Sequence, residues 1–425
     1  MRSRIFVAVA ACAALVGSMM AATGTASARV GSAPSIGSDE IKVGGLIETQ
    51  FAGSDVGTKA RIADENAKGG VNGRKITYVE GQTYPQANTA AALAEAQRLV
   101  QQEGVAAIVP SMTSTPPAQF LQQQQVPAFA WNITPLGWDA PWYFGITGSL
   151  VAPFPKTAPG SASLPEMLSQ QFKDEGTATG GKGKTIAIIG SDDASAKSGV
   201  NQAKKTFQTQ SYKVTYAKGA FSITTPTTDY TPYVQAIMTS NGGNPPDIAY
   251  LVASFSDVQG LAKGLRQAGF QGVIVNPTTY DPRIVKAAET LSVYTQWATP
   301  EAAPTTPNVQ KVIDSIHKQD PNAALSLGTL AGYFAADMFI QALKAAGKNV
   351  TTAAIQKAAA KMTYQIKDVI GPTTYPAAYT LGTSCAQLAK SDGAAFQVVV
   401  KYGCYPSYVF GVGSKPKKTI PAPTG

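Results

Sequence analysis

The groups in this chain best placed to do chemistry are hydroxyls and amides on two short stretches. "PSMTSTPP" at 110–117 carries Thr113, Ser114 and Thr115, and "NITP" at 132–135 carries Asn132 and Thr134. Each follows an apolar run that reads as a β-strand, 105–109 and 128–131. Hydroxyls and free N–H groups at the start of a helix can hold a carboxylate. The same side chains serve equally well as helix caps. Both roles stay open for each residue, and the two loops together point to a ligand site.

Groups for bond-breaking are scarce. The chain has one histidine, His317, in an amphipathic stretch beside Lys318 and Gln319, where a surface role is the default. Without a second histidine or a mature cysteine cluster, a Ser-His-Asp triad or a zinc site has little to work with. "ATGGKGKT" at 178–185 fits a relaxed phosphate-loop pattern, but such a loop follows a strand and opens a helix. Here the apolar strand comes after it, so the stretch reads as a flexible linker. The chain is expected to be no enzyme and to need no metal or cofactor.

Residues 1–28 read as a signal peptide: Arg2 and Arg4, an apolar run from Ile5 to about Ala22, and an Ala26-Ser27-Ala28 cleavage shape. The protein is therefore expected outside the cytoplasm, in a bacterial periplasm or envelope. Val9-Ala10-Ala11-Cys12 resembles a lipoprotein box, but the apolar run continues past Cys12, which argues against a lipid anchor there. Loss of the leader takes the net charge from +9 to +7. The basic residues are scattered, whereas a nucleic-acid face would cluster them. Cys385 and Cys404 then remain, an even number in an exported chain, and are expected to form a disulfide. Closing that loop stabilises the fold by about 3 kcal/mol on the chain-entropy estimate.

The elements that would position these groups alternate. In "ENAKGGVNGRKITY", residues 65–78, Lys68 ends a helix, Gly69 and Gly70 stop it, Asn72-Gly73 turns the chain, and a strand begins at Lys75. Strand and helix patterns continue to 131, and a proline- and glycine-rich stretch follows at 151–165. The alternation restarts at Thr185 and runs to Asn276. Helices dominate 307–361, and a β-rich tail follows. Two such series mean two doubly wound α/β lobes, too large together for one core. The helical block suggests a return to the first lobe. The expected division is 39–148 with 300–362 for the first lobe and 149–299 with 363–425 for the second, joined by a multi-crossing hinge with a cleft.

"IADENAKGGVNGRKITYV" closely resembles the signature of periplasmic binding proteins of the branched-chain amino-acid type, the type I solute receptors of ABC importers. "IKVGGLI", "AAIVPSMTST", "VPAFAWNITP" and "DYTPYVQAIMTSNGGNPPDIAYLVAS" are similar to that family's successive elements, and the likeness runs from about Ile41 to Tyr364. The resemblance implies three hinge crossings and closure of the lobes on a small solute. It implies that Thr113–Thr115 and Asn132–Thr134 hold an amino acid's carboxylate, and that Phe255 packs on the ligand. An acid that pairs with the ammonium group is common in the loop reading "NPTTYDP" here. Thr278 or Thr279 occupies its place, with Tyr280 beside it and Asp281 displaced. The family's aromatic-glycine pair is altered to Ser198-Gly199.

Both departures count against a standard α-amino acid, since an ammonium group desolvated without a partner costs several kcal/mol. Either Asp281 serves, or the solute is an amide, an aromatic acid or another small carboxylate. Trp131, Trp138, Trp142 and Tyr143 either wall an aromatic pocket or pack in the lobe. The implied function is an exported, monomeric receptor that hands a small molecule to a membrane permease. An extracytoplasmic sensor for a signalling partner and a secreted hydrolase are the alternatives.

Overall fold

The computed structural model describes residues 36–153, 160–162, 168, 183–286, 290–405, 407–410 and 416–420. The expected leader with Cys12, most of the proline-rich stretch and residues 178–182 lie outside them.

The first sheet is wholly parallel. It contains β1 (Glu40–Ile47), β2 (Lys75–Val79), β3 (Ala107–Met112), β4 (Ala128–Ala130) and β5 (Tyr143–Gly145), in the order β2-β1-β3-β4-β5. Every residue of β3, β4 and β5 is buried, as a sheet covered on both faces demands. Helices α1 (Ser54–Ala67), α2 (Thr89–Gln97) and α3 (Ala118–Gln123) connect its strands. Gly70 between α1 and β2 has φ +78°, and a Cβ there would lie 2.0 Å from the Arg74 carbonyl oxygen. Only glycine fits that stop.

A short strand, β6 (Gly160–Ala162), precedes the second sheet. That sheet holds β7 (Thr185–Ser191), β8 (Lys213–Phe221), β9 (Ile248–Val252), β10 (Val273–Asn276) and β11 (Leu291–Thr295), all parallel. Its connections include α4 (Ala194–Thr209), α5 (Thr231–Met238), α6 (Phe255–Gln267) and the one-turn α7 (Pro282–Val285).

Three helices follow: α8 (Pro307–Gln319), α9 (Leu327–Ala345) and α10 (Thr352–Ala359). The chain does return to the first sheet. α9 is buried along most of its length and packs on α1, where Thr58 donates to the Gly332 carbonyl at 2.9 Å. The hairpin β12 (Thr363–Ile366) and β13 (Ile370–Thr374) also belongs there. Tyr364 donates to the Phe334 carbonyl, Thr373 to that of Ile146, and the adjacent Tyr375 to that of Gly145. The expected boundary at 363 falls at the start of this hairpin, which also touches the second lobe where Tyr402 donates to the Gly371 carbonyl. β14 (Cys385–Ser391) and β15 (Phe396–Cys404) then add to the second sheet antiparallel, giving the order β15-β14-β11-β10-β9-β7-β8. Cys385 and Cys404 face each other on them and are bonded. β16 (Ser407–Phe410) pairs with β6 and with β17 (Pro416–Ile420).

Three segments cross side by side between the sheets. Thr383 N–H donates to the Thr147 carbonyl at 2.8 Å, and Ala298 N–H to that of Val369 at 2.8 Å. Bridges also join Gly148 to Gly382 and Trp297 to Ile370. This is a two-lobed α/β fold with a multi-crossing hinge.

Candidate functional site

In each sheet the strand order reverses at one place, between β1 and β3 in the first and between β7 and β9 in the second. Ligand sites of open α/β sheets lie outside the strand C-termini at such points. Residues beyond the strand C-termini of the two sheets meet across the cleft. Ser195, in the first turn of α4, donates its hydroxyl to the Ile133 carbonyl of the opposite lobe. Leu327 N–H donates to the Tyr280 carbonyl at 2.7 Å, and Trp131 donates from Nε1 to Gln296 Oε1 at 3.1 Å.

Between the two lobes lies a cavity of about 160 Å³. Gln50, Phe51, Gln86, Ser114 and Trp131 line it from the first lobe. Asp193, Ala253, Pro277 and Thr278 line it from the second, together with the inner face of α4. A smaller space of about 20 Å³ adjoins it, sharing Gln50, Phe51, Ala253 and Thr278, with Phe255, Thr279, Tyr280 and Asp281 on its far side. That smaller space is scarcely larger than one water needs.

Glu48, directly after β1, dominates the polar end of the first lobe. Its side chain is fully buried, and its Oε1 accepts from Ser114 N–H at 2.9 Å, Ser114 Oγ at 2.7 Å, Thr113 Oγ1 at 3.1 Å and Ala87 N–H at 3.1 Å. Gln50 Nε2 donates to Oε2 at 2.7 Å. Burial pushes this carboxyl above the ordinary glutamate range, and the hydrogen bonds from Ser114, Gln50 and Ala87 only partly offset it. On the second lobe, Asp193 caps α4 by accepting from Ala196 N–H at 3.0 Å. Its Oδ2 is buried without a hydrogen-bond partner. Burial raises this carboxyl too, with the N–H groups of Ala196 and Ser195 opposing. Among the described residues that line the larger cavity there is no lysine, arginine or histidine.

A profile of the family described as periplasmic binding protein matches residues 41–395. The chain belongs to the type I periplasmic binding proteins of the branched-chain amino-acid type. No curated protein gives a significant match. Solved structures show the same fold at low identity. A fatty acid ABC transporter substrate-binding protein from Thermomonospora curvata aligns with a TM-score of 0.71 at 18% identity, over 92% of this chain and 97% of that one. A solute binding protein from R. palustris in complex with benzoate gives 0.64 at 15%, over 86% and 98%. A branched-chain amino acid transporter substrate binding protein from Streptococcus pneumoniae in complex with isoleucine gives 0.63 at 17%, over 86% and 100%. The family is extracytoplasmic, and no described helix is long and apolar enough to cross a membrane.

Within this binding protein, the residues singled out from sequence fall into three groups. Thr113 and Ser114 are at the cleft but grip Glu48 instead of standing free for a ligand's carboxylate, and of the two only Ser114 lines the cavity. Thr115 is beside them, its hydroxyl unpartnered.

Asn132 and Thr134 do not line either space. Asn132 Nδ2 donates to the Gly137 carbonyl and to Ser149 Oγ, and Thr134 accepts from Leu136 N–H, so both shape the loop after β4.

Phe255, Thr279, Tyr280 and Asp281 gather at the smaller space. Asp281 is not free for an ammonium group: Arg283 holds it at 2.6 Å. The Arg283 guanidinium also lies 4.8 Å over the Phe255 ring, and Tyr280 donates to Glu301 at 2.8 Å. Thr279 Oγ1 is buried and unpartnered.

Trp131 walls the larger cavity, whereas Trp138, Trp142 and Tyr143 do not. Sequence reasoning missed Glu48, Gln50 and the inner face of α4. The altered Ser198-Gly199 pair was the one signal in that helix, since Gly199 lines the cavity.

Proposed function

We propose that this binding protein is the solute receptor of an ABC importer, closing its lobes over one organic molecule with an apolar body and a hydrogen-bonding polar end. The closed form then docks on a membrane permease, and a separate ATPase supplies the energy. The observation that carries this reading is the cavity lined from both lobes at two facing strand-order reversals. The structural relatives include receptors described with a fatty acid, benzoate and isoleucine, so the fold accommodates apolar bodies of several shapes.

Among the solutes considered, an amide fits better than a carboxylate or an α-amino acid. A carboxylate at Ser114 would meet the charge of Glu48 with no cation in the lining, and an unpaired buried charge is expensive. An ammonium group finds Asp281 already paired with Arg283. A thermal-shift panel of amino acids, benzoates, primary amides and alkyl compounds tests this. A ligand at one hundred times its Kd stabilises the folded state by about 2.7 kcal/mol, read as a rise in Tm. No rise with any compound, or turnover of one, contradicts the reading.

A further inference from the structure

The larger cavity does not stop at the cleft. From α4 it takes Ser195, Ala196, Gly199, Gln202, Ala203, Thr206 and Phe207. These recur every three or four residues, so they form one face of the helix. At 1.5 Å per residue that face runs about 18 Å from Ser195 to Phe207. Small residues at 196, 199 and 203 hold the space open beneath the helix. Opposite them stand Val252 and Tyr250 of β9 and Tyr294 of β11. Phe207 and Tyr250, with ring centroids 5.9 Å apart, stand at the inner end. Polar side chains gather instead at the cleft: Gln50, Gln86, Ser114, Asp193 and Gln296. The cavity is therefore polar at its mouth and mainly apolar inside the second lobe, where Gln202 is engaged by the Ala152 N–H and Leu150 carbonyl and Thr206 donates to the Gln202 carbonyl. A compact amino acid held between the lobes would leave the inner part unfilled.

We infer that the solute carries an unbranched apolar tail that threads beneath α4 into the second lobe, with a hydrogen-bond-donating head left at the mouth beside Asp193. This rests on the receptor reading above and narrows its ligand class. Asp193 Oδ2 is the acceptor that lacks a partner. The absence of a cation from the described lining disfavours a carboxylate head.

The test is calorimetric titration of the full chain with butanamide, hexanamide, octanamide and decanamide. Each methylene entering the channel should tighten binding about fourfold. Octanoate should bind at least about tenfold more weakly than octanamide at neutral pH, a margin of about 1.4 kcal/mol. Ala203→Leu, which fills the channel, should flatten the dependence on chain length. The wild-type series decides the matter should that variant fail to fold. Binding of a small solute with no gain from chain length overturns the tail and leaves the receptor reading standing. Equal or tighter binding of octanoate overturns the head assignment. No binding of any amide, amino acid or benzoate overturns both readings.

Discussion

Ser114 gives both its backbone N–H and its hydroxyl to the buried carboxylate of Glu48, at 2.9 and 2.7 Å. The loop expected to receive a ligand's carboxylate thus already holds one from its own chain. Two like charges a few ångströms apart repel by about 4 kcal/mol at the effective dielectric of a protein surface. The donors of this loop are consequently closed to an anionic solute while Glu48 is ionised. Glu48→Ala removes the occupant and exposes those donors. Benzoate should then bind at least about tenfold tighter than to the wild-type protein, by calorimetry. Unchanged or weaker binding would mean that the loop is a structural cap alone.

Glu48 also sets a pH dependence. Burial raises its carboxyl above the glutamate reference of 4.5, so the folded chain holds this proton more tightly than the unfolded one. Its contribution to stability is then full below the unfolded value and lost as pH rises through the folded one. Glu48→Gln cannot ionise and lacks that loss. Between the pH of the glutamate reference and neutrality, the wild-type Tm should fall relative to the variant. Parallel curves across the window would show that the hydrogen bonds to Oε1 outweigh desolvation.

The first lobe depends on a close helix contact. A Cβ at Gly57 of α1 would lie 1.8 Å from the Thr329 carbonyl oxygen, and one at Gly332 of α9 would lie 1.9 Å from that of Ser54. Both obstacles are backbone, so the helices must separate to admit a methyl group. Gly57→Ala should cost roughly 3 kcal/mol in urea unfolding, at the upper end for overpacking. A loss below about 0.5 kcal/mol, the usual range of a surface change, would contradict the packing described here.

Local chemistry was legible in the sequence, and long-range partnership was not. The stop at Gly69-Gly70 and the turn at Asn72-Gly73 need positive φ, and these four residues have it, at 103°, 78°, 52° and 82°. Such features depend on neighbours along the chain. Glu48 and Ser114 lie sixty-six positions apart, and no local pattern says that one carboxylate will satisfy the other's donors. Asp281 was weighed as a partner for a ligand. Its engagement with Arg283, two residues on, was readable in principle, but the sequence alone does not choose between a salt bridge and solvent. The channel beneath α4 was hidden for another reason. Ala196, Gly199 and Ala203 are ordinary helix residues until Tyr250 and Tyr294 are placed opposite them.

Hydrogen–deuterium exchange, with and without the best ligand from the thermal-shift panel, asks most directly whether both lobes grip one solute. Protection should appear together at 113–115, at 195–207 and at Thr278, one set of amides in the first lobe and two sites in the second. Protection confined to one lobe, or spread with no maximum at these segments, would contradict a solute held between two closing halves.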